Sequence, residues 1–182
     1  MTRATVTGAS GLVGANLVRR LLDAGVEVRA ADLRRSVAID DLDIEFVEVD
    51  VRDATSLAAA FQGADVVFHL AAMISIVGDP TGDVWEVNVG GPANAANAAR
   101  SAGVTRFVHC SSVHAFDLEK CGPSLDETGP RTIGDHAPVY DRSKFAGEQG
   151  LLAAAGDELD VVIVNPTGVI GRHDHTPSRT GE

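Results

Sequence analysis

Short runs rich in β-branched and apolar residues recur along the chain: ATVTG (4–8), VEVRAAD (26–32), IEFVEVD (44–50), DVVFHLAA (65–72), RFVHCSS (106–112) and DVVIVNP (160–166). Their near-continuous apolarity predicts strands covered on both faces. Ala-rich stretches of helical length separate them. Leu17, Val18, Leu21 and Leu22 repeat at helical spacing, and Gly25 stands where such a helix would end. DATSLAAAFQG predicts a second helix with Asp53 as its N-cap, a third is expected over roughly 81–102 before Gly103, and a fourth over about 139–155. Strands alternating with helices predict βαβ units: an α/β fold with a doubly wound parallel sheet and helices on both faces. No internal repeat or linker divides it, so residues 1–172 read as one domain.

Charge narrows the partners. The 182 residues carry a formal net charge of -11, which leaves no basic footprint for a phosphate backbone or an anionic membrane. Neither nucleic acid nor a membrane is expected. The N-terminal MTRATVTGAS passes straight into the first strand, leaving no room for a signal peptide, so the expected location is cytoplasmic. Cys110 and Cys121 lie in no metal-ligand or redox spacing and read as reduced thiols.

The first strand–helix junction, TGASGLVGANL, places Gly8, Gly11 and Gly14 in series. A pyrophosphate-binding turn needs a residue free to take positive φ, a second without a side chain so that backbone can approach the ligand, and a third where helix meets strand closely. The helix N-terminus then directs free N–H groups at the phosphates. Asp32 closes the next strand, where a carboxylate accepts hydrogen bonds from the adenosine ribose. A second anion placed about 4 Å away, as a 2′-phosphate would be, costs on the order of 4 kcal/mol at a protein-surface dielectric. This favours NAD over NADP, although Arg34 and Arg35 follow at once. Asp50 and Val51, ending the third strand, fall at the level of an adenine ring.

Tyr140 is the single tyrosine, and Lys144 follows it by four positions. On a helix the two share a face. A free phenol is a poor base at neutral pH, and an adjacent ammonium, helped by an oxidised nicotinamide, brings its pKa down. Ser111 and Ser112 end the fifth strand, at the edge where a doubly wound sheet presents hydroxyls to its ligand crevice.

Together with TGASGLVG (7–14), DVRD (50–53), HLAA (69–72), NVGGPANAANAAR from Asn88, FVHCSSVHAF (107–116), YDRSK (140–144) and NPTGVIG (165–171), these features resemble the extended short-chain dehydrogenase/reductase family. That group includes NAD-dependent sugar epimerases, dehydratases and 3β-hydroxysteroid dehydrogenase-like or dihydroflavonol-reductase-like enzymes. The resemblance implies a Rossmann domain carrying a Ser112–Tyr140–Lys144 site, with Tyr140 the general acid/base and Lys144 on the nicotinamide ribose. It also implies that Ser10, Leu12 and Val13 join the glycine turn at the pyrophosphate, while Leu70, Ala71 and Ala72 line the adenosine path. Asn88 would hold the middle of the cofactor, Ser111 would lie beside the nicotinamide, and Pro166 to Val169 would meet the carboxamide. Dimers built from the helices around 85–102 and 139–155 are implied too, although the same small residues pack equally well inside a monomer.

Val113, His114 and Ala115 stand where dehydratases of this family carry Asp-Glu and sugar epimerases usually a Thr. The expected reaction is therefore interconversion of a secondary alcohol and a ketone of a small-molecule substrate. The alternatives are a sugar-nucleotide epimerase and, of another kind, an inactive NAD-binding regulator. Residues 173–182 read as the start of a substrate-binding lobe that is largely missing from this chain. His173 and His175 lack a third ligand and do not make a metal site.

Overall fold

A computed structural model describes residues 2–175. The strands are β1 (Arg3–Thr7), β2 (Glu27–Asp32), β3 (Glu45–Glu48), β4 (Val66–His69), β5 (Arg106–Cys110) and β6 (Asp160–Val164), and the helices α1 (Leu12–Asp23), α2 (Ala54–Phe61), α3 (Asp83–Trp85), α4 (Gly91–Ser101) and α5 (Val139–Ala155). All pairings within the sheet are parallel, in the order β3-β2-β1-β4-β5-β6. The winding direction reverses between β1 and β4, where Thr7 pairs with Ala31 on one side and with His69 on the other. A crevice outside the strand C-termini at such a reversal is the ligand position of this fold.

Alternating strand residues build two cores. Leu57, Phe61, Val67, Phe107 and Leu151 pack with the alanines of α4 on one face, and Val6, Val18, Val28 and Ile39 pack on the other. Every expected strand is present, but β3 to β6 leave the ladder two or three residues early. Apolar character continues through Leu70–Ala72 because this segment lines the crevice after pairing has stopped, whereas the run after β5 turns polar at Ser111–Ser112.

The expected 81–102 helix is interrupted. A π-helical turn, Glu86–Gly90, separates α3 from α4. Pro92 has no N–H for the Asn88 carbonyl and its ring would crowd it, so the ladder adopts the wider spacing just before the proline. That carbonyl points at α5, where a Cβ on Gly147 would lie 2.1 Å from it. The small residues of the two helices thus serve contact within one chain. Asp53 caps α2 as expected, accepting from Thr55 N–H at 2.9 Å. Of the segment expected to enter a further lobe, residues 176–182 lie outside the described residues.

Candidate active site

The glycine turn is shaped by two steric demands. Gly8 has φ +70°, and a Cβ there would lie 2.7 Å from the Ala71 nitrogen; a Cβ on Gly14 would lie 2.1 Å from the Gly8 carbonyl. Gly11 differs. Its nearest obstacle would be the Gly8 oxygen at 3.5 Å, an ordinary contact, so the protein's own packing does not require glycine there. Space is left outside the N-terminus of α1, whose first N–H groups, including those of Leu12 and Val13, have no acceptor within the helix. This fits a pyrophosphate cradle.

A groove of about 440 Å³ runs from this turn across the ends of β2 and β3. Gly8, Ser10, Gly11, Asp32, Asp50, Val51, Leu70, Ala71 and Ala72 line it, together with Leu33, Arg34, Ser36, Arg52 and Val87, which the sequence reading did not assign to the site. Asp32 accepts from Ser10 N–H at 2.9 Å and Leu33 N–H at 2.8 Å. Burial nevertheless holds its carboxyl above the ordinary aspartate value, against these bonds and nearby Arg34. Asp50 is clasped by Arg52, which depresses its pKa. Arg35 faces away, donating to the Leu42 carbonyl and pairing with Asp40.

The catalytic candidates meet at the end of β5. Tyr140 stands half-buried in the first turn of α5; burial pushes its phenol up and the Ser112 hydroxyl pulls it back. Lys144, one turn on, is 3 % exposed, and its ammonium donates to the Cys110 carbonyl at 3.1 Å. Burial lowers its pKa, against Cys110 and Glu148. Ser112 thus acts on the phenol, while the Lys144 ammonium is anchored on main-chain oxygen one turn away. The Ser112 Oγ also accepts from His114 N–H at 3.2 Å, which leaves its own proton free to donate.

Other expected site residues have defined partners. Ser111 turns its hydroxyl inward, donating to Glu148 Oε1 at 2.5 Å. The Asn88 side chain exchanges hydrogen bonds with the Met73 main chain and donates to Ser143 Oγ at 3.0 Å. The Pro166 carbonyl accepts from Val113 N–H, and Val169 is exposed. His114, half-exposed, lies edge-on to Tyr140 with ring centroids 5.8 Å apart and pairs with Asp141 at 3.3 Å. The sequence reading missed Glu148, Arg131 and Asn165; for Glu148 a signal existed, since it continues the Tyr140–Lys144 face by one more turn.

The model of the NAD dependent epimerase/dehydratase family matches residues 4–181. The chain belongs to this family. Sterol demethylase protein B of Methylococcus capsulatus is 39% identical over 180 residues, covering 97% of this chain and 54% of its own. UDP-glucose 4-epimerase of Mycolicibacterium smegmatis is 44% identical over 182 residues, covering 93% and 56%. A short-chain dehydrogenase/reductase superfamily protein from Agrobacterium tumefaciens, solved with bound NAD, superposes with a TM-score of 0.76 at 30% identity, covering 90% of this chain and 48% of the other. The chain spans about half the length of the curated relatives it matches. Among the described residues no helix is long and apolar enough to cross a membrane.

Proposed function

We propose that this chain binds NAD across the β1–β4 crevice and oxidises a secondary carbinol carbon of a nucleotide sugar, Tyr140 acting as general base, with re-reduction from the opposite face giving the epimer. The observation that carries the reading is that Lys144, one turn after Tyr140 on α5, reaches the end of β5 at the same sheet edge as a glycine turn with open space at Gly11. The 44% identity to a UDP-glucose 4-epimerase supports the substrate class. NAD, when bound, accepts and returns the hydride. Ser112 donates its free proton to the substrate oxygen and orients it, while Tyr140 takes the carbinol proton. Asp32 in the groove would accept from the ribose and favour NAD, and Arg34, the one arginine of the pair in the groove, is the residue to replace if NADP binds.

A second reading is one-way oxidation of an apolar secondary alcohol. His114, standing two residues after Ser112 where epimerases usually carry Thr, favours it, as does the likeness to a sterol demethylase protein.

Incubating the chain with NAD and UDP-glucose, or with a sterol alcohol, separates the two. Sugar interconversion without accumulating NADH supports epimerisation; stoichiometric NADH from the sterol supports the second reading. Tyr140→Phe is expected to lower turnover on the order of 10²- to 10⁴-fold with NAD affinity unchanged. Wild-type turnover in that variant removes Tyr140 from the mechanism.

A further inference from the structure

Three successive turns of α5 grip three successive residues at the end of β5. Tyr140 stands near enough to Ser112 for that hydroxyl to pull its pKa down, Lys144 donates to the Cys110 carbonyl, and Glu148 accepts from the Ser111 hydroxyl. The third rung belongs to none of the chemistry described above. Glu148 is 3 % exposed, and its carboxylate gathers donors from three separate segments: Ser111 at 2.5 Å, Asn165 Nδ2 after β6 at 2.7 Å, and Arg131 from the loop after β5 at 3.1 Å. Asn165 Nδ2 also donates to the Ser112 carbonyl at 3.0 Å. Arg131 is fixed in turn, its guanidinium resting 3.9 Å from the centroid of the Phe116 ring.

Burying a carboxylate is costly, and apolar residues of similar volume often hold a core equally well. What an apolar residue cannot do is set the direction of two adjacent backbone units. Ser111 is held through its hydroxyl and Ser112 through its carbonyl, both referred to one carboxylate. We propose that Glu148 is a positioning residue that clamps the Ser111–Ser112 turn from behind, fixing the Ser112 hydroxyl against Tyr140, with Arg131 tying the clamp to the loop that follows β5. The clamp rests on the proposed role of Tyr140 only for its effect on turnover.

Because Tyr140 is the only tyrosine, the ultraviolet absorbance of its phenolate titrates this one group in the full chain without any substrate. Ser112, Cys110 and Asp141 act on the phenol directly and are left intact. In Glu148→Ala the phenol is expected to titrate roughly one unit higher, a tenfold loss of acidity from the displaced Ser112 hydroxyl. Glu148→Gln deletes the same negative charge, so a rise in Glu148→Ala that Glu148→Gln does not share separates positioning from electrostatics acting directly or through Lys144. Turnover should fall on the order of 10²-fold with NAD affinity unchanged. Glu148→Gln, which keeps an acceptor for Ser111, should restore most of both. Ser111→Ala removes a single hydroxyl and guards against loss of folding in Glu148→Ala; it should shift the phenol in the same direction by less. A phenol at its wild-type value in Ser111→Ala and in every folded Glu148 variant overturns the proposal, as does a downward shift. Should Tyr140→Phe retain full turnover, the functional reading falls while the phenol shift still measures the clamp.

Discussion

The glycine turn and the end of β5 lie at the same C-terminal edge of the parallel sheet but are built on different plans. The first is made of main chain: Gly11 N–H reaches the Gly8 carbonyl, Ser10 N–H reaches Asp32, and a Cβ on Gly8 or Gly14 would fall inside neighbouring backbone. The second is made of buried side chains, with Lys144, Glu148, Asn165 and Ser111 exchanging bonds among three elements. A steric site fails by collision, all at once. A polar side-chain site fails by degree, according to which donor loses its partner.

The largest effect belongs to the steric half. Gly14→Ala places a methyl 2.1 Å from the Gly8 oxygen, a rigid obstacle, and is expected to cost about 3 kcal/mol of stability by urea titration. Gly11→Ala meets only an ordinary contact at 3.5 Å and should cost within about 1 kcal/mol as an N-cap change, yet lose NAD affinity. Wild-type NAD binding by Gly11→Ala would mean that the open space there is not used by the cofactor.

Acid should strike the other half next. His69 and His109 are paired in register on β4 and β5, stacked with centroids 5.5 Å apart on the face covered by α4 and α5. Burial, with Lys144 adding to it, drives His69 from 6.5 down to about 3; burial, then His69 and Lys144, hold His109 well below its ordinary value. The unfolded chain therefore takes up protons below pH 6.5 that the folded chain refuses. Stability is present in full above that pH and falls as pH drops toward the folded values, by up to about 1.4 kcal/mol per unit for each histidine. Asp41 and Asp50, whose folded values are lowered from 3.8, act only in a more acidic window, and Asp32, raised, acts with the opposite sign. Urea midpoints should decline between pH 7 and pH 5, with a shallower decline in His109→Leu; an unaltered slope would assign the acid sensitivity to other groups.

The same division decides what could be read from the sequence. The glycine spacing, Asp32, the Asp53 cap and the Tyr140–Lys144 face are local relations, fixed by turn geometry and helical period. Glu148 lies on that face too, but its partners stand 17 and 37 residues away, and no periodicity reports such a pairing. Ser111 shows the consequence: a strand-end serine is legible as a hydroxyl near the crevice, while its direction is set by a carboxylate on a distant helix. Apolar runs marked the strands but overran their ends, because lining a crevice and pairing in a ladder ask for the same residues. The π turn had a local cause in Pro92, whose effect on the carbonyl four residues earlier is a matter of sterics rather than pattern.

The smallest expected effect tests whether the division is real. Asp53 and Ser111 each make one side-chain bond near the crevice: Asp53 accepts from Thr55 N–H at an exposed helix start, and Ser111 donates to a buried carboxylate. Asp53→Ala should cost about 1 kcal/mol, the ordinary value of a lost cap, because water replaces the missing acceptor and nothing else depends on it. Tyr140 should titrate in that variant as in the wild type, and NAD affinity should hold. Ser111→Ala removes a bond of similar strength, yet is expected to move the phenol, since the bond it breaks orients the neighbouring serine. If Asp53→Ala also shifts the phenol, the strain of a frayed α2 is reaching β5 through the shared core of Leu57, Phe61 and Phe107, and the two halves are mechanically one.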